Sequence, residues 1–448
     1  MDSPKQYAVP TEIGAGDSAE IELFALFNEE VLAITEGTVV PAEISVSYDL
    51  RGDRKEAQHI ESVRLENRNA CVWDDDRHAA AFVTAKDPTV LQFAKNVASL
   101  VRQHDNRGVD LSLQTALAVH EALAVHGINY VPDPTTPYIE YVQNEEAIDF
   151  LQFPRQTLTF LSGDCDDLSI LYAAMLQAVS VETAFVTVPR HIYMAIKLGM
   201  DADTAARTFA RPDDLIVRDD TVWLPVEVTR TQQPFSHARE VGARLWRQHE
   251  PRSEANFAEL AEAWQEFAPV GLPGDDTVPL PELEPLHATY VDELVAVVDS
   301  EIEERAGELL ARIEGGSRDP RVFNRVGTLY ARFGRFGEAR GHFESAVALG
   351  EYTPALFNLG NIHLVDGDLL QALELYQRAH ERSPQNSSVL LGLVQVHERL
   401  RNQREADRFY QELVAVAPAV AERHASVDVD SSGTVRASEG QEVLLWEG

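Results

Sequence analysis

Between residues 320 and 420 the chain repeats itself, and no other feature restricts its fold as tightly. Gly327, Tyr330, Gly334, Ala339, Phe343 and Ala346 recur 33 residues later as Gly360, His363, Gly367, Ala372, Tyr376 and Ala379, and Pro384 closes that unit. A third copy, 34 residues further on, keeps His397, Ala406, Tyr410 and Pro418 but has Val394 at the first glycine position. Small residues at fixed places let two helices cross closely, and a large aromatic fills the gap between copies; the period therefore predicts three stacked helix pairs. Three such units bury little alone, so "VDELVAVVDSEIEERAGELLARI" (291–313) is expected as a helix that caps the first copy.

This pattern resembles the tetratricopeptide repeat. The resemblance covers about 320–420 and implies a concave surface that holds a peptide or a partner protein.

The rest of the 448 residues is long enough for further domains. Residues 20–86 hold short β-branched runs separated by turn residues: "AEIELFALFN", "EVLAIT", "VVPAEISVSYDL" and "HIESVRL". Strict alternation of Ile44, Val46, Tyr48 and Leu50 suggests one buried face, as in a small sandwich or partial barrel. From Asp87 the period becomes helical in "PTVLQFAKNVASLVRQH" and "LSLQTALAVHEALAVHG", and a Pro-rich connection, "VPDPTTPYIEY", follows. The stretch 269–287 is rich in Pro, Gly and acid and reads as a linker. The expected fold is therefore multidomain. It divides into a β-rich domain (1–86), an α+β core (87–268), a linker (269–288), a capping helix (289–319), the all-α repeat array (320–420) and a tail (421–448).

A net charge of −35 argues against nucleic acid or an anionic membrane as partner, since both would be repelled. The lysines are Lys5, Lys55, Lys86, Lys95 and Lys197; the other basic residues are Arg. An acidic chain of this kind favours a basic or neutral ligand for the repeats. No apolar run reaches the ~18 residues of a membrane helix. The start lacks the basic and apolar regions of a signal peptide, which gives a cytoplasmic default, or export if the chain is a fragment. Cys71 and Cys165 are too few for a disulfide framework and have no metal-ligand spacing, and no cofactor motif is present. Cys71, flanked by Val72 and Trp73, reads as a packed thiol. In the tail, Asp428, Asp430, Ser432, Gly433 and Glu439 fall at calcium-loop positions, but Arg436 stands where a water ligand or side-chain oxygen is usual, which favours a solvated turn.

The chemistry gathers around "LSGDCDDLSILYAAML" (161–176). Gly163 permits a turn and Asp164 is a good helix cap. Leu168, Leu171, Tyr172, Met175, Leu176 and Val179 then make one apolar helical face. Cys165 falls in the first turn, where unpaired N–H groups and the helix dipole favour a thiolate. Asp166 and Asp167 suit the same helix end but oppose a thiolate, so a cationic partner is needed. "ETAFVTV" and "HIYMAIKL" read as strands joined at Pro189-Arg190, with His191, Tyr193 and Ala195 on one face. A third strand, "TVWLPVEVT", carries Glu227, a carboxylate in apolar company that is costly unless paired. Orienting an imidazolium satisfies it, so Cys165, His191 and Glu227 form a nucleophile, base and orienter set.

These segments resemble the transglutaminase-like superfamily, with a papain-like core, over about 130–231. The resemblance implies Cys165 as nucleophile, His191 as general base and acid, and Glu227 as orienter, with Tyr193 at the family's aromatic position after the His. Three departures stand out. The acid is Glu where Asp is commoner, a long segment (199–220) separates it from the His as a lid or a plain insertion, and no side chain is an obvious oxyanion donor. Cys165 N–H supplies one such donor, and Gln156 is a candidate for the other. The sequence thus predicts a cysteine-dependent peptidase or amidase with a Cys-His-Glu triad and partner-binding repeats. The competing expectation is a non-catalytic transglutaminase-like scaffold for protein–protein interaction.

Overall fold

The computed structural model describes residues 12–14, 17–18, 20, 27, 29–103, 106, 108–132, 148–274, 277–427 and 446–447. The candidate calcium loop (Asp428, Asp430, Ser432, Glu439) lies outside these residues, as does most of the Pro-rich connection. The chain forms two compact units. One comprises 1–104, 112–202 and 213–293; the other comprises 105–111, 203–212 and 294–448.

In the first unit, the N-terminal β-rich region is a long antiparallel hairpin, Thr38–Leu50 with Asp53–Leu65. Arg51 and Gly52 at its tip both have positive φ (54° and 90°), the two-residue turn whose twist matches that of paired strands. No second sheet covers this hairpin among the described residues, so it is a ribbon and not a sandwich or barrel. Val46, Tyr48 and Leu50, expected on a buried face, are exposed, and only Ile44 of that set is half-buried. Alternation identifies a strand but not whether anything packs on its apolar side. "EVLAIT" is likewise not a strand; Glu29–Ala33 is a 3₁₀ turn.

The helices Pro88–Gln103 and Leu111–Val125 form where the helical period places them. A five-stranded antiparallel sheet carries the core, in the order Asn256–Glu259, Thr183–Val188, His191–Asp201, Thr221–Val226, Ile216–Arg218. The helix Cys165–Ala178 packs on strand His191–Asp201 and against helix Pro88–Gln103. Leu245 and Trp246 of helix Phe235–His249 cover Tyr193, Ala195 and Trp223. Thr183–Val188 is buried at every residue, so it shows no exposed polar row, and its Thr183 and Thr187 hydroxyls are hydrogen-bonded to Gln177 and Asp76. The Pro/Gly stretch after 268 is fastened to this unit. Arg155, itself buried, donates to the carbonyls of Leu272 (2.6 Å), Pro273 (3.2 Å) and Gly274.

In the second unit, residues 294–314 complete the long helix Leu283–Glu314. Three helix pairs follow: Pro320–Arg332 with Phe336–Leu349, Thr353–Asp366 with Leu369–Arg382, and Ser387–Arg399 with Gln403–Val416. Helix Pro418–Val427 comes last. The repeat glycines mark real close approaches. A Cβ at Gly327 would stand 2.6 Å from the Phe343 ring, and one at Gly360 2.5 Å from the Tyr376 ring. In the third copy Val394 leaves no such gap, and Phe409, not Tyr410, is the aromatic turned inward. Among the described residues no helix is long and apolar enough to cross a membrane.

Candidate active site

Asp164 caps the helix that begins at Cys165. Its side chain accepts from Asp167 N–H (3.4 Å), and Asp167 reciprocates toward Asp164 N–H (3.4 Å). Cys165 thus opens the first turn, as its sequence context predicts, and is 6% exposed. The backbone N–H groups of Ile192 and Asp166 both reach its sulfur. Ser169 Oγ ties the helix to the strand, donating to Cys165 O (2.6 Å) and Ile192 O (3.4 Å). The sulfur is therefore held beside the residue that follows His191.

His191 begins its strand, and its Nε2 hydrogen-bonds Glu227 Oε2. The ring lies parallel to Tyr193, with centroids 6.0 Å apart and planes at 19°. Glu227 does not lie in a strand. The strand ends at Val226, and Glu227 caps the short turn Val228–Arg230, its Oε1 accepting from Thr229 N–H (3.0 Å) and Thr229 Oγ1 (2.6 Å). Burial pushes the Glu227 carboxyl upward, yet His191 and the two Thr229 donors outweigh it, and the net shift is downward. It is the ionised partner of a nearly closed pair, and its length is absorbed by the turn it caps. The acid's identity as Glu is thereby accommodated.

The thiol itself departs from expectation. Burial first, then the Asp164 charge, pushes Cys165 up to about 12, so the resting group is a thiol and not a thiolate. The aspartates behave likewise. Burial, with Asp164 beside it, lifts Asp166 well above the carboxylate range and raises Asp167 too. Asp166 also hydrogen-bonds Asp149, whose Oδ2 accepts from Trp73 Nε1 (2.7 Å). Ligand atoms of Asp164, Cys165 and Asp166 lie within 4.8 Å of one another. Asp166 and Asp167 thus hold their protons more tightly than ordinary carboxyls, which moderates the repulsion that the aspartates would otherwise exert on a thiolate.

Gln156 is anchored through its Oε1, which caps its own helix, accepting from Phe153 N–H (2.9 Å), and also accepts from Asn69 Nδ2 (2.7 Å); neither bond uses the Nε2 that would donate to an oxyanion. Tyr130, which sequence reasoning missed, lies within electrostatic reach of Cys165. Tyr130 pairs in parallel with Gly163, two residues before Cys165. The next turn of chain anchors the same strand from the Glu227 side, because Thr231 Oγ1 (3.1 Å) and Gln232 Nε2 (2.8 Å) both donate to Ile128 O. Burial raises the Tyr130 hydroxyl, and the charges of Cys165, Asp164 and Glu227 add to that. A two-residue strand is too short to show a period, so the sequence carried no signal for it. Cys71 is likewise a buried thiol, pushed up to about 12 by burial and the acids around it. Residues 203–212, from the long interval before Glu227, are a folded insertion of the second unit. There Arg305 donates to Ala206 O (3.0 Å) and Phe209 O (2.6 Å), and Ala210 N–H donates to Glu301 (2.6 Å). A cavity of about 660 Å³ in the first unit, lined by Val125, Leu158, Leu161, Val278 and Leu280 among others, includes none of Cys165, His191 and Glu227.

Known proteins resemble this chain in its repeats. The tetratricopeptide repeat family matches residues 363–427, and the C-terminal helix pairs are an array of such repeats. The mouse BBSome complex member BBS4 is 35% identical over 79 residues, 17% of this chain and 15% of that protein. Mouse tetratricopeptide repeat protein 8 is 25% identical over 89 residues, 20% of this chain and 17% of the relative. The chain thus spans under a fifth of the length of these two relatives. Among solved structures, that of YrrB, described as a TPR protein with an unusual peptide-binding site, aligns with a TM-score of 0.26 and 19% identity, over 32% of this chain and 73% of YrrB. Repeats of this family point to protein partners.

Proposed function

We propose that the first unit carries a transglutaminase-like core (87–268) acting as a cysteine-dependent amide hydrolase, and that the repeats bring it a protein or peptide. One observation carries the reading: the His191–Glu227 pair is built one residue from the amide that reaches the Cys165 sulfur. With Nε2 engaged by Glu227, Nδ1 is the ring nitrogen that takes the thiol proton. As the sulfur attacks the amide carbonyl carbon, His191 receives that proton and Glu227 balances the imidazolium. The oxyanion faces Cys165 N–H, with the Tyr130 hydroxyl as the second donor. The C–N bond then breaks, the His191 proton passes to the departing amine, and a thioester remains. Water, deprotonated by His191, attacks the thioester, releasing a carboxylic acid and restoring the thiol. An amine in place of water gives cross-linking by the same steps.

The test is to incubate the full chain with peptide and glutaminyl amides, following amine release and the intact mass of the protein. A thioester on Cys165 and amine release, both lost in Cys165→Ser, support the reading; undiminished release by Cys165→Ser excludes it. A non-catalytic scaffold is the second reading, favoured by the raised thiol and by family matches that fall on the repeats. It predicts no thioester, and capture of the same protein partners by wild type and Cys165→Ser.

A further inference from the structure

The repeat array is not empty. Trp446 and Glu447, far along the chain from the helices they touch, lie against the first helices of all three repeats. Asn358 grips the Glu447 backbone at both ends: its Nδ2 donates to Glu447 O (2.7 Å) and its Oδ1 accepts from Glu447 N–H (2.9 Å). Asn324 Nδ2 donates to the same carbonyl (2.7 Å), as does Thr328 Oγ1 (3.2 Å), and Asn324 Oδ1 accepts from Asn358 Nδ2 (2.9 Å). Asn386, which caps the third repeat's first helix, turns its Nδ2 to the Glu447 carboxylate (2.9 Å). The Trp446 ring stacks on Phe343 (6.1 Å, 13°) and leans on Phe336 (6.0 Å).

Asn324 and Asn358 are both fully buried, on the first helices of two successive repeats. A buried amide without partners is costly, so these two side chains are arranged to be met by a peptide backbone. Backbone pairing reads an extended strand of any sequence. The Phe336 and Phe343 rings add a preference for a flat aromatic, and Asn386 adds one for a carboxylate on the next residue. Neutral amides, not charges, line this spot, so net charge does not set its preference.

Resting on the reading of the repeats as a peptide-binding array, we infer that this groove binds an extended peptide bearing an aromatic residue followed by an acidic one, and that the chain's own Trp446–Glu447 fills it in cis. A partner of that chemistry must displace the resident segment, so its apparent affinity is lowered by the fraction of chains with the groove open.

The test uses a fluorescent peptide of residues 440–447 (GQEVLLWE) titrated by anisotropy into the full chain. Trp446→Ala, which opens the groove, is expected to bind it about tenfold or more tighter than wild type does. Adding Asn358→Ala to that variant is expected to abolish binding. Glu447→Pro, which removes the N–H that Asn358 receives, gives the same opening should Trp446→Ala disturb the array. Equal binding to wild type and the opened chain, or binding that survives Asn358→Ala, overturns the inference. A control peptide ending in Ala-Ala separates the two levels of the argument. Equal binding of both peptides to the opened chain leaves a peptide groove but overturns the aromatic-acidic preference, and binding of neither removes the peptide-groove reading as well. A wild-type dimer that Trp446→Ala turns into monomer places the segment on a second copy and overturns occupancy in cis.

Discussion

The core and the repeat array both bury polar groups, but of opposite kinds. Around Cys165 the buried groups titrate: Asp149, Asp164, Asp166, Asp167 and Glu227. In the repeats the groups at the groove are neutral, Asn324, Thr328 and Asn358. A buried carboxyl is expensive and changes state with pH, whereas a buried amide asks only for a partner. The first arrangement suits moving protons, and the second suits holding a backbone. The proposed functions follow this contrast, with chemistry assigned to the first unit and recognition to the repeats.

The largest effect that would break this contrast concerns the thiol. Cys165→Ser is expected to lower amide turnover by at least about a thousandfold while leaving binding of the Trp-Glu peptide to an opened groove unchanged. Turnover assays and anisotropy on the same protein check both halves at once. Next comes Glu227→Gln, which keeps the shape but not the charge that balances His191. Turnover is expected to fall roughly a hundredfold or more, with the Thr229 cap partly retained by the amide oxygen, as judged by an unchanged melting curve.

The third prediction sharpens the pH contrast. The folded state holds the protons of Asp166 and Asp167 more tightly than the ordinary carboxylate value of 3.8, so their contribution is full below that value. It is lost as pH rises toward the folded values, about 8 for Asp167. Glu227 is shifted the other way, and its contribution is lost only as pH falls below its ordinary 4.5. Stability of the core should therefore decline between about pH 5 and about pH 8, and Asp166→Asn should flatten that slope. The repeat array, whose His342 and His397 are held below the usual imidazole value by burial, should show no such decline. Pulse proteolysis in urea at the two pH values, read separately on peptides from each region, checks the difference.

Smaller effects test the repeats. Gly360→Ala places a Cβ against the Tyr376 ring and is expected to destabilise the array by about 1–3 kcal/mol. Gly341→Ala, in a helix with nothing within 4 Å of the added carbon, should instead stabilise it by up to ~1 kcal/mol. Opposite signs in chemical denaturation separate packing glycines from incidental ones.

Much of this was legible in the sequence where a rule is local. The glycine-aromatic period located the helix pairs, and Asp164 followed by an apolar face located the helix on which Cys165 opens. A Glu amid apolar residues announced a partner, although the strand ends one residue before it. What the sequence withheld depends on distant contacts. Alternation at Ile44–Leu50 could not reveal that the hairpin lacks a covering sheet. Tyr130 reaches its place through pairing with Gly163, and Trp446–Glu447 through a groove assembled by three repeats. Asn324 and Asn358 stand 34 residues apart where the first two copies repeat at 33, so the periodic pattern does not single them out. The thiol's protonation was also out of reach, because burial decides it more than the helix end does.

The central claim is that His191, paired with Glu227, activates Cys165. Cys71 provides the comparison within the same molecule, being equally buried, with its thiol likewise pushed up to about 12. The direct measurement is the rate of alkylation of each cysteine at neutral pH, by peptide mass spectrometry, in wild type and His191→Ala. The account predicts that Cys165 reacts faster than Cys71 and falls to the Cys71 rate when His191 is removed. Equal rates in the wild type, or a Cys165 rate indifferent to His191, would contradict it and leave the molecule a scaffold.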